Sequence, residues 1–433
     1  MSISAAPVME NRKTNYRWGI VALLFFATTI NYFDRFILGI MAPLLESELG
    51  WNELEYGYIV FAFQMAYAFG TLLFGYLIDR IGTRWGLAMA VGFWSIASML
   101  HGAARSWIGF ALARIGLGLS EAGNFPASIK TVAEWFPKKE RALATGIFNG
   151  GSNVGALFAP ILIPLIMSFF GSWEWVFILS GLLGFVWLIF WMIFYRNPGE
   201  SRYVNKQELE YIQDGEKGVE FEKINWTKLL KYRQTWAVAL GKLLADPVWY
   251  FYLFWGAKFL HTKFGIDLKE MALPLVTIYV IADLGGITGG ALSSFLMKKG
   301  KTVNFSRKMT MLISALLVLP VMTVPYYSSI TISVGLIALA AASHCSWSAN
   351  IFTVISDLFP KNMVATVTGF ATTVSTIGGM LTALLIGYLL NESGSDGYKI
   401  AFGVASFGYL IGITVIHLLV PRMKPLMDTQ TGN

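Results

Sequence analysis

Twelve apolar stretches, 19 to 28 residues long, recur along this chain and decide the medium in which it folds. By hydropathy they cover about 18–45, 56–78, 85–104, 107–134, 142–168, 173–195, 235–262, 271–297, 309–327, 330–357, 364–390 and 399–420. A helix of about 20 apolar residues crosses the roughly 30 Å hydrocarbon core of a bilayer. The residue inventory agrees. Hydrophobic residues make up 55% and charged ones only 14%, against about 25% charged in soluble domains. The expected fold is an all-α membrane protein of twelve transmembrane helices embedded in a lipid bilayer.

Charge then orients the helices. The net charge of +7 invites a nucleic-acid reading, but the 33 Lys and Arg are scattered over short loops with no basic stripe beside exposed aromatics, so no nucleic-acid partner is expected. Place the N-terminus, the even-to-odd loops and the C-terminus on one side. That side holds 24 of the basic residues, and the other about five: Arg105, Lys258, Lys263, Lys269 and Lys399. Basic loops stay inside, which puts both termini in the cytoplasm. Met1 to Arg17 is polar and the run after it lacks a small-residue cleavage site, so a retained first helix is expected rather than a signal peptide.

Several chemistries are set aside. Cys345 is the lone cysteine, and the four histidines fall in separate segments, which leaves no disulfide framework, CxxC site or metal cluster. The glycine-rich run Gly146 to Gly155 follows a helix and lacks a GK[ST] ending, so it is no phosphate loop. Its Gly146-xxx-Gly150 and Gly151-xxx-Gly155 spacing suits close helix packing instead. No Walker A motif occurs, which excludes an ATP-driven pump. No cofactor, no metal and no enzymatic activity are expected, and the molecule is expected to be a monomer.

The chain also repeats. Glu134-Trp135-Phe136-Pro137-Lys138 leads into Ala142, Thr145, Gly146 and Gly155. A shift of 223 gives Asp357-Leu358-Phe359-Pro360-Lys361, then Ala365, Thr368, Gly369 and Gly378. The one long polar stretch, 196–234, begins at the helix stop Asn197-Pro198-Gly199 and divides the chain near its middle. We expect an N-terminal six-helix half (1–195), a cytoplasmic linker with some amphipathic helix (196–234) and a C-terminal six-helix half (235–433). Parallel six-helix repeats are a transporter architecture, with substrate bound between them near the midplane.

The loop Gly75-Tyr76-Leu77-Ile78-Asp79-Arg80-Ile81-Gly82-Thr83-Arg84 resembles the cytoplasmic signature loop of the major facilitator superfamily. Asn31-Tyr32-Phe33-Asp34-Arg35 in the first span, and Arg114 with Glu121, Ala122 and Pro126 in the fourth, resemble the anion:cation symporter family. So do Glu134-Trp135-Phe136-Pro137 and Glu140-Arg141. The stretches Leu244 to Tyr252 and Ala282 to Gly286 most resemble its hexuronate branch. The likeness covers nearly the whole chain. It implies the major facilitator fold with two pseudo-symmetric halves, and import of a sugar acid by proton symport.

Charges inside apolar spans carry the chemical argument. Asp34, Arg35, Arg114, Glu121 and Asp283 lie well within them, with Asp246 and His344 in similar settings. A mid-bilayer charge costs roughly 2.5–3.5 kcal/mol or more, so such residues line a cavity or pair with one another. A buried ion pair that only fixes helix packing is the competing account. Arg114 and Glu121 are seven apart and share a helix face, as do Asn31, Tyr32 and Arg35, while Asp34 points about a quarter turn away. Pro126 cannot bond back to Ala122, which loosens the fourth helix one turn beyond Glu121, and Pro247 likewise frees the carbonyl of Leu243.

Arg stays charged and offers a planar fork to a carboxylate, which makes Arg35 the expected ligand of an organic anion. A carboxylate in a poorly hydrated cavity can exchange a proton near neutral pH, so Glu121 and Asp34 are the proton-coupling candidates, tuned by Arg114 as a partner of Glu121. The resemblance implies the same four positions. Hydroxyls of a sugar acid would find Tyr32, Tyr67, Asn149, Ser152 and Asn153 in one half, and Tyr250, Asn350, Thr372, Thr373 and Ser375 in the other. Helix–helix hydrogen bonding would explain each of these equally well. Asp79, with Arg80 and Arg84, sits at the rim, where a carboxylate can meet a neighbouring helix N-terminus; the resemblance implies a gating latch.

Other functions compete. Another organic anion (galactonate, glucarate or tartrate) would use the same groups. Export of an amphiphilic cation or drug would need exposed carboxylates, which the two arginines disfavour. A sensor or channel is disfavoured by the two-fold repeat with buried carboxylates and by the lack of an appended cytoplasmic domain.

Overall fold

The computed structural model describes residues 14–51, 53–213, 226–266 and 272–426. The first thirteen residues and 214–225 of the expected linker lie outside it. The described residues form helices and no strand, the arrangement that satisfies every backbone polar group without water. The first seven helices are α1 (Tyr16–Leu49), α2 (Glu53–Ile81), α3 (Thr83–His101), α4 (Trp107–Glu121), α5 (Asn124–Trp135), α6 (Lys138–Phe170) and α7 (Glu174–Phe194). Two short ones follow, α8 (Lys206–Ile212) and α9 (Trp226–Leu229). The rest are α10 (Arg233–Phe264), α11 (Ala272–Lys298), α12 (Val303–Val318), α13 (Ile330–Leu358), α14 (Val364–Ser393) and α15 (Gly397–Leu419). Helices α4 and α5 share the fourth expected span, and a 3-10 segment, Leu319–Tyr326, continues α12 to complete the ninth.

Among the described residues nine helical segments are long and apolar enough to cross a membrane by themselves. At 15 and 12 residues, α4 and α5 are each too short alone. The break between them has the cause read from Pro126. The Ala122 N–H still reaches Gly118 O at 3.3 Å, and Gly123 N–H turns back to Ser120 O at 3.1 Å. The helix then restarts at Asn124 with Pro126 in its first turn, where a missing N–H is harmless. Pro247, in contrast, sits inside an unbroken α10.

The distribution of side chains is the reverse of a soluble protein's. Phe169, Leu273, Val404 and Leu418 stand outward at 69–84% exposure, while Arg141, Arg307 and Glu121 are fully buried. Such a surface is stable only against lipid.

The early and late helices meet chiefly where α2 packs on α14 and α6 on α11, with α6 also on α13 and α5 on α14. The repeated glycines explain how. A Cβ on Gly146 would stand 2.5 Å from Gly286 O of α11, and its repeat mate Gly369 presses in the same way on the Thr71 carbonyl of α2. Gly151 and Gly155 face the Phe25 and Thr29 carbonyls of α1. The glycine run is a packing surface, as its spacing suggests.

Below the bundle, α8 docks on the start of α1. Glu208 is fully buried and accepts from the Thr14 hydroxyl (2.6 Å), the Tyr16 N–H (3.1 Å), and the Arg17 N–H (3.2 Å) and Nη1 (2.9 Å). It therefore caps the unsatisfied N–H groups of a helix that has no side-chain cap of its own. Arg17 Nε also pairs with Glu140 at 3.0 Å, and Tyr211 of α8 donates to Glu140 at 2.6 Å.

Candidate substrate site

A cavity lies between the early and late helices, a place where small-molecule sites form in helical bundles. One wall presents Tyr32, Arg35 and Phe36 of α1, Tyr67 of α2 and Phe125 of α5. Next to it α6 supplies Asn149, Ser152 and Asn153. The facing wall is made by Lys242, Asp246 and Trp249 of α10, Tyr279 of α11, His344, Ser348 and Phe352 of α13, and Thr372 of α14.

Arg35 is the best-defended charge in this cavity. Its Nε and Nη2 both donate to Glu121 Oε2, at 3.2 and 3.1 Å, and Nη2 also reaches Asn31 Oδ1 at 3.3 Å. The guanidinium carbon lies 4.6 Å from the ring centres of both Tyr32 and Tyr67, and 5.3 Å from that of Phe63. Arg35 remains 24% exposed while Glu121 is sealed. One edge of the fork is thus held by Glu121, and the group still faces the cavity.

Here the structure departs from the sequence expectation. Glu121 pairs with Arg35 rather than Arg114. The reason is distance: seven residues of helix rise roughly 10 Å, too far for an easy ion pair within one helix, whereas α1 runs alongside. Arg114 is buried over the Phe63 ring at 5.5 Å, and its Nε and Nη2 have no hydrogen-bond partner among the described residues. Asp34 does point away from the cavity, as its quarter-turn offset implies. Its Oδ1 accepts from Ser98 of α3 at 3.0 Å, and Oδ2 has no partner among the described residues.

Of the expected hydroxyl partners, Tyr32, Tyr67, Asn149, Ser152, Asn153 and Thr372 reach the cavity. Asn350 is fully buried off it and bonds to Ser346 O at 2.9 Å. Thr373 joins α14 to α2 through Thr71 at 2.8 Å and Ala68 O at 2.9 Å. Ser375 bonds to Thr372 O. These three serve packing. The side chain of Tyr250 lies outside the described residues. Asp283 sits behind Asn153, which donates to it at 2.5 Å. Lys242 was not singled out in the sequence, although its i,i+4 spacing from Asp246 puts both on one face. They pair at 2.7 Å.

The rim residues form a second site. Asp79 Oδ2 accepts from the Thr366 N–H (2.7 Å) and hydroxyl (2.6 Å), and Oδ1 pairs with Lys130 Nζ at 2.9 Å. Asp79 therefore sits on the N-terminus of α14, where helix dipole and free N–H groups favour an anion. The Arg84 Nη2 donates to Met192 O at 3.0 Å, near the end of α7; Arg80 lies over the Tyr76 ring at 4.8 Å. A matching contact on the other side went unread in the sequence. Arg307 of α12 holds Asp357 at 2.8 Å and donates to Lys138 O at 2.7 Å. Arg141 of α6 donates to Ser356 O at 2.8 Å. The same rim is thus closed twice, at the starts of α14 and of α6.

The comparisons agree with this architecture. A family profile described as Major Facilitator Superfamily matches residues 24–382 and 300–433. The hexuronate transporter of Escherichia coli (strain K12) is 33% identical over 419 residues, covering 95% of this chain and 95% of its own length. The galacturonate transporter of Dickeya chrysanthemi is 33% identical over 332 residues, covering 75% of this chain and 95% of its own. The proton:xylose symporter XylE, solved with 6-bromo-6-deoxy-D-glucose bound, superposes with a TM-score of 0.76 over 97% of this chain and 99% of that one. At 14% identity that likeness bears on the fold alone.

Proposed function

This chain belongs to the Major Facilitator Superfamily, and we propose that it is a secondary carrier importing a hexuronate such as glucuronate or galacturonate by proton symport across the bacterial inner membrane. The observation that carries this reading is the Arg35–Glu121 pair at the cavity wall. A substrate carboxylate needs the guanidinium fork, and the fork is engaged by a carboxylate that a proton can neutralise. Protonation of Glu121 releases Arg35 to the substrate; loss of the proton takes it back. Binding of anion and proton is then mutually dependent, as linkage requires. The names of the two relatives support a hexuronate as the anion.

In this reading the halves 1–195 and 235–433 rock about the cavity, with 196–234 as their cytoplasmic tether. Asp79 on α14, and Arg307 with Asp357 against α6, are the latches of the cytoplasmic rim. Uptake of labelled glucuronate into proteoliposomes tests the proposal. Accumulation is expected under an imposed inward proton gradient and not without one. Accumulation driven only by sodium, or no glucuronate uptake at all, would overturn it.

A further inference from the structure

The geometry points to the Lys242–Asp246 pair as the element that reads the end of the substrate remote from its carboxylate, and that selects a polyhydroxylated monocarboxylate over the corresponding dicarboxylate. This rests on the hexuronate reading above and adds the basis of its selectivity. Among the described residues the cavity's cations are on opposite walls, Arg35 on α1 and Lys242 on α10. Each is paired differently. Glu121, the partner of Arg35, is sealed from the cavity. Asp246, the partner of Lys242, is the more open member of its pair, at 13% against 3%. The α10 wall therefore offers an acceptor carboxylate first, with an ammonium 2.7 Å away.

The pair is held in place from three sides. Lys242 Nζ lies 4.1 Å from the Phe352 ring centre. One turn on, Trp249 stacks on His344 with ring centres 4.9 Å apart and 8° between planes. His344 Nδ1 bonds to the Tyr409 hydroxyl at 2.8 Å, and that hydroxyl donates to Ala245 O at 3.3 Å. The turn of α10 that carries Asp246 is thereby fixed, so the donor and acceptor stay side by side.

An adjacent donor and acceptor suit two hydroxyls on neighbouring carbons, one donating to Asp246 and one accepting from Lys242. Their charges cancel, so the wall asks for a neutral partner. A second carboxylate there would face Asp246, a like-charge contact that sites use to exclude wrong ligands. Glucuronate and glucarate make a direct comparison, because they share carbon skeleton and configuration while the far carbon is a ring hemiacetal in the first and a carboxylate of an open chain in the second.

The test is equilibrium displacement of labelled glucuronate by unlabelled glucuronate and glucarate, on the purified full-length protein at neutral pH. Wild type is expected to prefer glucuronate by about tenfold or more, the worth of one charge-assisted hydrogen bond. Asp246→Asn should weaken glucuronate about tenfold and strengthen glucarate, because Lys242 is freed for the second carboxylate. Lys242→Gln with Asp246→Asn, which leaves no unpaired cation, should weaken glucuronate without any gain for glucarate. That double variant decides the matter if the single one fails to fold. Wild-type selectivity in either folded variant overturns the assignment while leaving the import reading intact. Wild type that binds neither acid overturns both.

Discussion

Glu121→Gln separates a coupling role from a packing role. Glu121 Oε2 accepts two bonds from Arg35, and Oε1 has no partner among the described residues. A glutamine with its carbonyl toward Arg35 keeps both bonds and loses only the charge. Arg35 stays charged, so both bonds remain charge-assisted from the donor side; exchanging the ion pair for an ion–dipole contact relaxes the hold on Arg35 by about 1–2 kcal/mol. The substrate carboxylate competes for the same fork. Its binding should therefore tighten about five- to thirty-fold at pH values where wild-type Glu121 is ionised, and match wild type where Glu121 carries its proton. Accumulation against a gradient should collapse, since no proton is exchanged, while counterflow should persist. A purely structural pair predicts something else: removing one partner of a buried pair costs about 3–5 kcal/mol. The two tyrosine rings 4.6 Å from Arg35 soften that loss by about 0.5–2 kcal/mol each. Binding across pH, gradient-driven uptake, counterflow and Tm, measured together, distinguish the two. Asp34→Asn is the internal comparison, because Asp34 faces Ser98 rather than the cavity and should retain more of the pH dependence. A folded Glu121→Gln protein that still concentrates substrate under a proton gradient would refute the reasoning.

Arg35→Lys should lose about ten- to hundred-fold in affinity although the charge is kept, because an ammonium cannot engage Glu121 and a substrate carboxylate with one planar fork; direct binding checks this. Asp79→Asn should weaken the rim latch by about 2–4 kcal/mol through its bonds to Thr366 and Lys130, slowing cycling while equilibrium affinity changes little; a large loss of binding in detergent would count against a latch. Glu208 offers a pH prediction outside the membrane. Burial pushes its carboxyl up, but hydrogen bonds from Thr14, from the Arg17 backbone and side chain and from the Tyr16 N–H outweigh it, leaving it below the ordinary value. A depressed folded value stabilises above the unfolded value, about 4.3, and that contribution is lost as pH falls through the folded one. The hydrogen-exchange protection factors of the first turn of α1 should therefore fall on acidification in wild type, and be low at every pH in Glu208→Gln.

The spans were legible because hydropathy and helix length answer to one physical quantity, the bilayer thickness. The break after Glu121 was legible too, since Pro126 removes a donor whatever surrounds it. The repeat of Gly146 and Gly369 pointed to close packing, and both do press on a backbone of a facing helix. What single-helix reasoning missed was pairing between helices. Which carboxylate Arg35 meets depends on how α1 and α4 are rotated against each other, and face-sharing within α4 made Arg114 look nearer than it is. Asn350 and Thr373 were polar at suitable depth, yet depth cannot distinguish a residue turned into a cavity from one turned into a helix contact. Lys242 and Asp246, four apart on α10, were within reach of the i,i+4 rule.

The candidate site and the rim latches are built on the same helices, and this limits how the molecule can work. Glu121 is the last residue of α4, directly before the Ala122–Gly123 break, and α5 beyond that break carries both Phe125 in the cavity and Lys130 on Asp79. Helix α14 carries Thr372 in the cavity, and its first turn is what Asp79 holds. Helix α6 carries Asn149 and Ser152 above Lys138 and Arg141 at the second latch. In the proposed mechanism, a ligand that draws Arg35 away from Glu121 acts beside the Ala122–Gly123 break, at the start of the segment that carries Lys130 to Asp79. The latches themselves are a few charge-assisted bonds, each about 1.5–3 kcal/mol, comparable to what one bound carboxylate can supply. Differential contacts of that size are sufficient to redistribute two packed arrangements. On the proposed reading, a cavity walled by latch-bearing helices needs no separate lid: a bound anion and its proton would shift the same elements that seal the rim.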